Sequence, residues 1–288
     1  IAYKDSGKIV ITEPRELIHD LDSLPLPARH LLPISRYQAL GYPISIITSR
    51  GCPYSCIFCQ GRRMVGNKVR LRSATKVVDE IEEILAYGID RINVADDLFV
   101  SRSGRVKEVC SEILGRGLRF HWSAFARVNT VDRETLRLMK EAGCDSVSFG
   151  VETGNPEMLK RIRKGITLEQ IEKTFALTKK VGISIRAFYM LGLPTETREE
   201  SLKTISFARR LDAEWSQFTV FTPFPGTELF DISLENGLRM PERLEEWVPF
   251  NYRTLNRNTP WLSERRRKII RMLDFTAMII DRNNFISP

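Results

Sequence analysis

Ile44-Ser-Ile-Ile-Thr48-Ser-Arg-Gly51-Cys52-Pro-Tyr-Ser-Cys56-Ile-Phe58-Cys59 decides how this chain is read. Its first residues are β-branched and apolar, the composition of a buried strand, and Ser49-Arg50-Gly51 ends the run. Three cysteines then fall within eight residues, at C-x3-C-x2-C spacing. Soft thiolates in such a set favour iron–sulfur chemistry and can hold three irons of a cubane cluster. No fourth cysteine or histidine stands beside the loop, so one metal position is left for a substrate or cosubstrate. A structural zinc site normally needs four such ligands, and disulfide pairing would leave one of the three thiols over.

Outward from this loop, strand-like and helix-like segments alternate, as parallel β/α units do. The pattern predicts strands at Ile44–Thr48, Arg91–Ala95, Arg119–Phe125, Ser146–Val151, Ile183–Met190 and Ser216–Phe221. It predicts amphipathic helices at Ala74–Tyr87, Arg105–Gly115, Arg133–Ala142, Leu168–Val181 and Glu199–Leu211. Gly88, Gly117, Gly143 and Gly182 stand just past the last helical turns, where a left-handed stop is expected. Six units are too few for an eight-unit barrel. They fit an α/β fold of the partial (β/α)6 barrel kind, with a flat doubly wound sheet as the rival. In a parallel barrel, chemistry gathers at the C-terminal strand ends, and the cysteine loop follows strand one directly.

The polar residues inside the strands point to the lumen. In the fourth strand Val147, Phe149 and Val151 alternate with Ser146, Ser148, Gly150 and Glu152, so Glu152 faces inward at the strand's end. In the fifth, Ser184, Arg186, Phe188 and Met190 share a face, and an interior arginine needs an anion or an acidic partner. Asp96 and Asp97 close the second strand. Arg127 follows the third, and Asn129 and Thr130 after it are expected to cap the next helix.

The cysteine spacing, with Phe58 before the last cysteine, resembles the signature of the radical S-adenosylmethionine (SAM) superfamily. Ser148-Phe-Gly-Val-Glu152-Thr-Gly and Gly192-Leu-Pro194-Thr-Glu196 resemble that family's fourth- and fifth-strand segments. The resemblance implies a splayed (β/α)6 barrel and a [4Fe-4S] cluster on Cys52, Cys56 and Cys59. It implies S-adenosyl-L-methionine chelated to the open iron and split reductively to a 5′-deoxyadenosyl radical. It implies cofactor contacts from Phe58, Asp96, Asp97, Glu152, Arg186 and Arg127, with an aromatic at 58 beside the adenine. Gly192 would let backbone approach the cofactor closely. Aspartates stand where the family often has a Gly-Gly-Glu-like segment after strand two.

Leu21-Asp-Ser-Leu-Pro25-Leu-Pro27-Ala-Arg29 reads as an ordered linker. With the segment after strand six, Phe221-Thr-Pro223-Phe-Pro225-Gly226-Thr227-Glu228, it is similar to the cobalamin-dependent branch. That resemblance divides the chain into an extension and linker (1–40), a barrel (41–240) and a C-terminal helical extension (241–288). It implies cobalamin carried by a domain outside these residues, preceding Ile1 if one exists. The expected chemistry is methyl transfer or a related radical C–C reaction. The rivals are a cobalamin-independent RNA-modifying or methylthiotransferase-type enzyme and a non-enzymatic iron–sulfur carrier or sensor. The resemblance also implies a reductant such as flavodoxin or ferredoxin.

Composition sets the remaining bounds. At 288 residues and 42% hydrophobic, the chain can build one large core. No apolar run reaches the roughly eighteen residues of a spanning helix, so the expected location is cytoplasmic or at most peripheral to a membrane. Five cysteines, three of them needed as free thiolates, suit a reducing compartment. Cys110 and Cys144 read as buried apolar positions. The charge of +8 is sharpest at Arg265-Arg-Arg-Lys268, expected to be a solvated helix face. No nucleic-acid motif accompanies it, and a nucleic-acid partner is not expected. Trp247, Tyr252 and Trp261 are expected to pack rather than to line substrate. The substrate could be a small molecule, a lipid or a peptide.

Overall fold

The computed structural model describes residues 2–248 and 259–279. Its centre is a six-stranded sheet: β1 (Ile44–Ile46), β2 (Arg91–Val94), β3 (His121–Ala126), β4 (Cys144–Glu152), β5 (Ser184–Leu191) and β6 (Trp215–Val220). Every neighbouring pair is parallel, and the spatial order is the chain order. A doubly wound sheet reverses its order at a switch point, and this one does not. Each right-handed crossover therefore places its helix on the same side, and the sheet curls into an open barrel.

The helices between the strands are α1 (Ala74–Ala86), α2 (Ser103–Gly115), α3 (Arg133–Glu141), α4 (Leu168–Val181) and α5 (Arg198–Leu211). They form where the apolar spacing predicts, and all but α2 start at a side-chain cap. Thr167 with Gln170, and Thr197 with Glu200, make reciprocal capping boxes. Asp132 caps α3 by accepting from the Thr135 N–H, so Asn129 and Thr130 do not. Those two instead serve Arg127: Asn129 Oδ1 accepts from its Nε, and the Thr130 hydroxyl donates to its carbonyl. Gly88, Gly117, Gly143 and Gly182 all take positive φ at the helix stops.

Outward strand residues such as Ile46, Ile92, Ala124, Phe149 and Ile185 pack beneath the helices in one continuous core with Cys110 and Cys144. The inward face is polar and aromatic. Trp261 packs against that core and donates its indole N–H to the Gly192 carbonyl. Leu262 reaches the α-carbon of Gly192, where an added Cβ would lie 2.3 Å from Leu262 Cδ1. The close approach at this glycine is therefore made by the chain's own C-terminal segment. That segment continues into a sixth long helix, Glu264–Ile279. In its basic run Arg265 and Lys268 are exposed, but Arg266 donates to Ser201 and Arg267 to the carbonyls of Thr259 and Leu262. Half of the expected solvated face is thus a tether. Tyr252 lies outside the described residues.

The N-terminal segment adds an exposed hairpin, Ala2–Asp5 with Lys8–Ile11. The linker after it is held in place. Asp22 accepts from the Ser73 N–H at the start of α1, and Arg29 pairs with Glu80, which also takes Arg72. No helix among the described residues is long and apolar enough to cross a membrane.

Candidate active site at the mouth of the barrel

The cysteine loop leaves β1 and is pinned on both sides. Gly51 takes φ +105°, and a Cβ there would lie 2.3 Å from the Lys68 carbonyl oxygen. Only glycine fits so close an approach at that dihedral. On one side, Asp96 is buried and accepts from the Thr48 N–H at 2.6 Å and from the Thr48 and Ser49 hydroxyls. Burial pushes its carboxyl pKa up, against the pull of those donors. Asp97 turns the other way and accepts from the Gly51 N–H at 3.2 Å. A Cβ on Gly61 would meet both Asp97 Oδ1 and Cys59 Sγ at 3.5 Å, so Asp97 borders the thiols while Asp96 is consumed in the scaffold.

On the far side, Ile57 bridges two later segments. Its N–H donates to the Ile162 carbonyl at 3.2 Å, and its carbonyl accepts from the Leu229 N–H at 3.0 Å. Its side chain is buried with Met158, Ile162, Leu193, Phe221 and Leu229, and Phe58 packs on the edge of that cluster. Loop closure thus depends on residues more than a hundred positions downstream.

Arg127 joins the loop to the barrel wall. Its guanidinium lies 3.6 Å from the Tyr54 ring centroid, donates to Cys56 Sγ at 3.5 Å and donates to the Lys164 carbonyl. The Lys164 ammonium in turn pairs with Glu152 at 2.6 Å and stands 5.8 Å from the Phe58 ring. Glu152 ends β4 at φ +68°, an uncommon conformation for a non-glycine residue that turns its carboxylate back over Gly150. Cys52, Cys56, Cys59, Phe58, Asp97, Arg127 and Glu152 are therefore brought together at one end of the barrel.

Arg186 is not among them. It pairs in register with Ser148 on β4, whereas Glu152 pairs with Tyr189. Three residues of strand put it roughly 10 Å deeper in the lumen. Tyr54 and Lys164 are members of the site that strand patterning misses. Tyr54 was visible only as an aromatic between two cysteines. Lys164 reaches Glu152 from a separate turn, between Arg163 and Gly165, both at positive φ.

Burial raises the thiol pKa of Cys52 and of Cys59, with the N–H groups of Tyr54 and Gly61 opposing it. Among the described residues no three His, Cys, Asp or Glu side chains converge tightly enough to hold a single metal ion. A cluster asks for something different, one thiolate per iron around its rim. Three free thiols on one pinned loop, bordered by the Arg127 cation and by N–H donors, suit that requirement.

Comparison with known proteins agrees with this geometry. An uncharacterized methyltransferase of Pyrococcus horikoshii is 39% identical over 240 residues, 83% of this chain and 52% of the relative. The anaerobic magnesium-protoporphyrin IX monomethyl ester cyclase of Rubrivivax gelatinosus is 30% identical, over 80% of this chain and 42% of that protein. This chain spans about half the length of the curated relatives it matches. The radical SAM methyltransferase TsrM of Kitasatospora setae was solved with cobalamin and a [4Fe-4S] cluster bound. It superposes with a TM-score of 0.66 at 26% identity, over 73% of this chain and 43% of its own. The profile of the Radical SAM superfamily matches residues 46–208, and the chain belongs to that superfamily.

Proposed function

We propose that this chain is the catalytic barrel of a radical SAM enzyme performing cobalamin-dependent methyl transfer or a related radical C–C reaction. One observation carries the reading: three free thiols on a loop locked across the barrel mouth, beside Arg127 and the Glu152–Lys164 pair. Cys52, Cys56 and Cys59 would hold a [4Fe-4S] cluster. With SAM bound, that cluster supplies the electron for reductive cleavage to methionine and a 5′-deoxyadenosyl radical, the agent of hydrogen abstraction.

The chain's own residues do the rest. Arg127 offsets negative charge at Cys56 and fixes the loop to the wall. Asp97, beside the thiols, suits a cationic amine. Glu152 and Lys164 offer one charge of each sign to a zwitterionic cosubstrate, and Phe58 offers an apolar edge.

Residues 1–40 we read as an extension and linker from a cobalamin-binding domain, 41–240 as the catalytic barrel and 241–288 as a C-terminal extension. The expected reductant is a flavodoxin or ferredoxin, and the expected location is cytoplasmic. The test is anaerobic reconstitution with iron and sulfide, reduction, and assay for 5′-deoxyadenosine. Release that disappears in Cys56→Ala supports the assignment; failure to bind both cluster and SAM overturns it.

A further inference from the structure

Below the mouth, the inward faces of β2 to β6 line an open cleft of about 420 Å³, in which Phe125 and Arg186 are exposed. Its walls are organised by register. Phe125, Ser148, Arg186 and Trp215 are cross-strand partners at a single level, and Phe188 stands one inward position above. The rings form a row: Phe125 to Phe188 at 5.9 Å and Phe188 to Trp215 at 5.3 Å between centroids. The small residue Ser148 on β4 leaves room beside that row.

Ser146 and Arg186 on the central wall of this cleft have no side-chain partner among the described residues. The Ser146 hydroxyl is buried, lines the cavity and meets no hydrogen-bonding atom. Arg186 is exposed on this open face and has no ion pair or hydrogen bond among the described residues, and the inward acid Glu152 is paired with Lys164. The one carboxylate in the lining, Asp145, lies at the open lower end with His121 at 3.8 Å. A second cation, Arg91, stands at that end, on the first residue of β2. An accessible guanidinium at the same level as aromatic rings in a concave site is a binding arrangement for an organic anion with a flat or apolar body.

We propose that this level of the lumen seats the substrate, and that Arg186 selects a substrate bearing a carboxylate, phosphonate or phosphate. The rings of Phe125, Phe188 and Trp215 take its apolar body, and Ser146 adds a hydroxyl contact. The proposal deepens the catalytic reading above and rests on it for the word substrate. It differs from the expectation that Arg186 contacts SAM, since Arg186 stands three strand residues below the register position of Glu152.

The test is equilibrium binding to the reconstituted chain with SAM present, by calorimetry, with phenylphosphonate and phenylacetate as anionic probes and phenylacetamide as the neutral control. Both anions are expected to bind about tenfold or more tightly than the amide, the scale of a charge-assisted contact. Arg186→Met should abolish the preference, and Arg186→Lys should keep part of it. Trp215→Ala should weaken acid and amide alike. Equal binding of acid and amide, no binding of either anion, or a preference unchanged in Arg186→Met overturns the proposal. So does loss of the probes when SAM is added, which would assign Arg186 to the cosubstrate. Release of 5′-deoxyadenosine from the same preparation, without probe, reports separately on the catalytic reading.

Discussion

The Lys164 ammonium meets the Glu152 carboxylate at 2.6 Å, and the pair lies directly over Gly150, whose missing side chain makes the room. Both partners are largely buried, so each is the other's compensation for lost water. Lys164→Met leaves a carboxylate buried without a counter-charge, and we expect a loss of about 3 kcal/mol in urea unfolding of the protein. Gly150→Ala should disturb the same pair, since a Cβ there would lie 2.3 Å from Glu152 Oε1. An unchanged midpoint in Lys164→Met would show the pair to be solvated.

Gly51 carries the turn into the cysteine loop. Gly51→Ala forces a methyl into the Lys68 carbonyl at a left-handed dihedral that itself costs about 1–2 kcal/mol. The loop must move, and iron bound per chain after reconstitution should drop severely. Full iron loading in this variant would contradict the pinning described here.

Arg127 contacts a thiol, the Tyr54 ring and the Lys164 carbonyl at once. Its replacement by Met should weaken iron retention against a chelator by about 10- to 100-fold, the usual range for a residue supporting metal ligands. Arg127→Lys keeps the charge but not the flat stack on Tyr54, and should fall between.

Glu196 folds back on its own turn, accepting from the N–H groups of Gly192 and Leu193, while its second oxygen meets no donor. Burial raises its pKa from 4.5 to about 7. In the folded chain it keeps its proton after the unfolded chain has lost it. The stability this contributes is full below the unfolded pKa and is lost as pH rises through the folded one, on the order of 3 kcal/mol at most. Urea midpoints across that window should fall with pH in the native protein and flatten in Glu196→Gln.

The cysteines divide by environment. The Cys110 thiol is pushed up to about 12 by burial and burial also raises Cys144 well above the ordinary thiol value, whereas the three loop thiols are partly or fully open to solvent. Brief alkylation followed by mass spectrometry should modify Cys52, Cys56 and Cys59 and spare the other two. Prior cluster loading should protect the three.

The strands and helices were legible because each has a one-sided apolar period, and four of the five helices between strands begin at a capping side chain. The boundaries moved by one or two residues, as β3 did in starting at His121 rather than Arg119. The hairpin at the N-terminus carried a visible Ser6-Gly7 turn, both at positive φ, but no core to announce it. Within the site, alternation could place Glu152 and Arg186 on the inward face. It could not pair them, because that depends on the dihedral at Glu152 and on where Lys164 arrives from a separate turn. Asp96 and Asp97 looked equivalent in sequence, yet consecutive residues leaving a strand point apart, one into the scaffold and one toward the thiols.

Sheet order that matches chain order has a consequence for biogenesis. Each strand emerging from a ribosome finds its neighbour already made, so the wall can assemble progressively from β1 onward. The cysteine loop is synthesised before the later strands, but Ile57 docks on Ile162 and on Leu229, which follows the last strand. Until that segment is made, the three thiols hang from an unlatched loop, open to scavenging metals and oxidants. A cluster site fixed by these contacts is complete only once the segment after the last strand has folded.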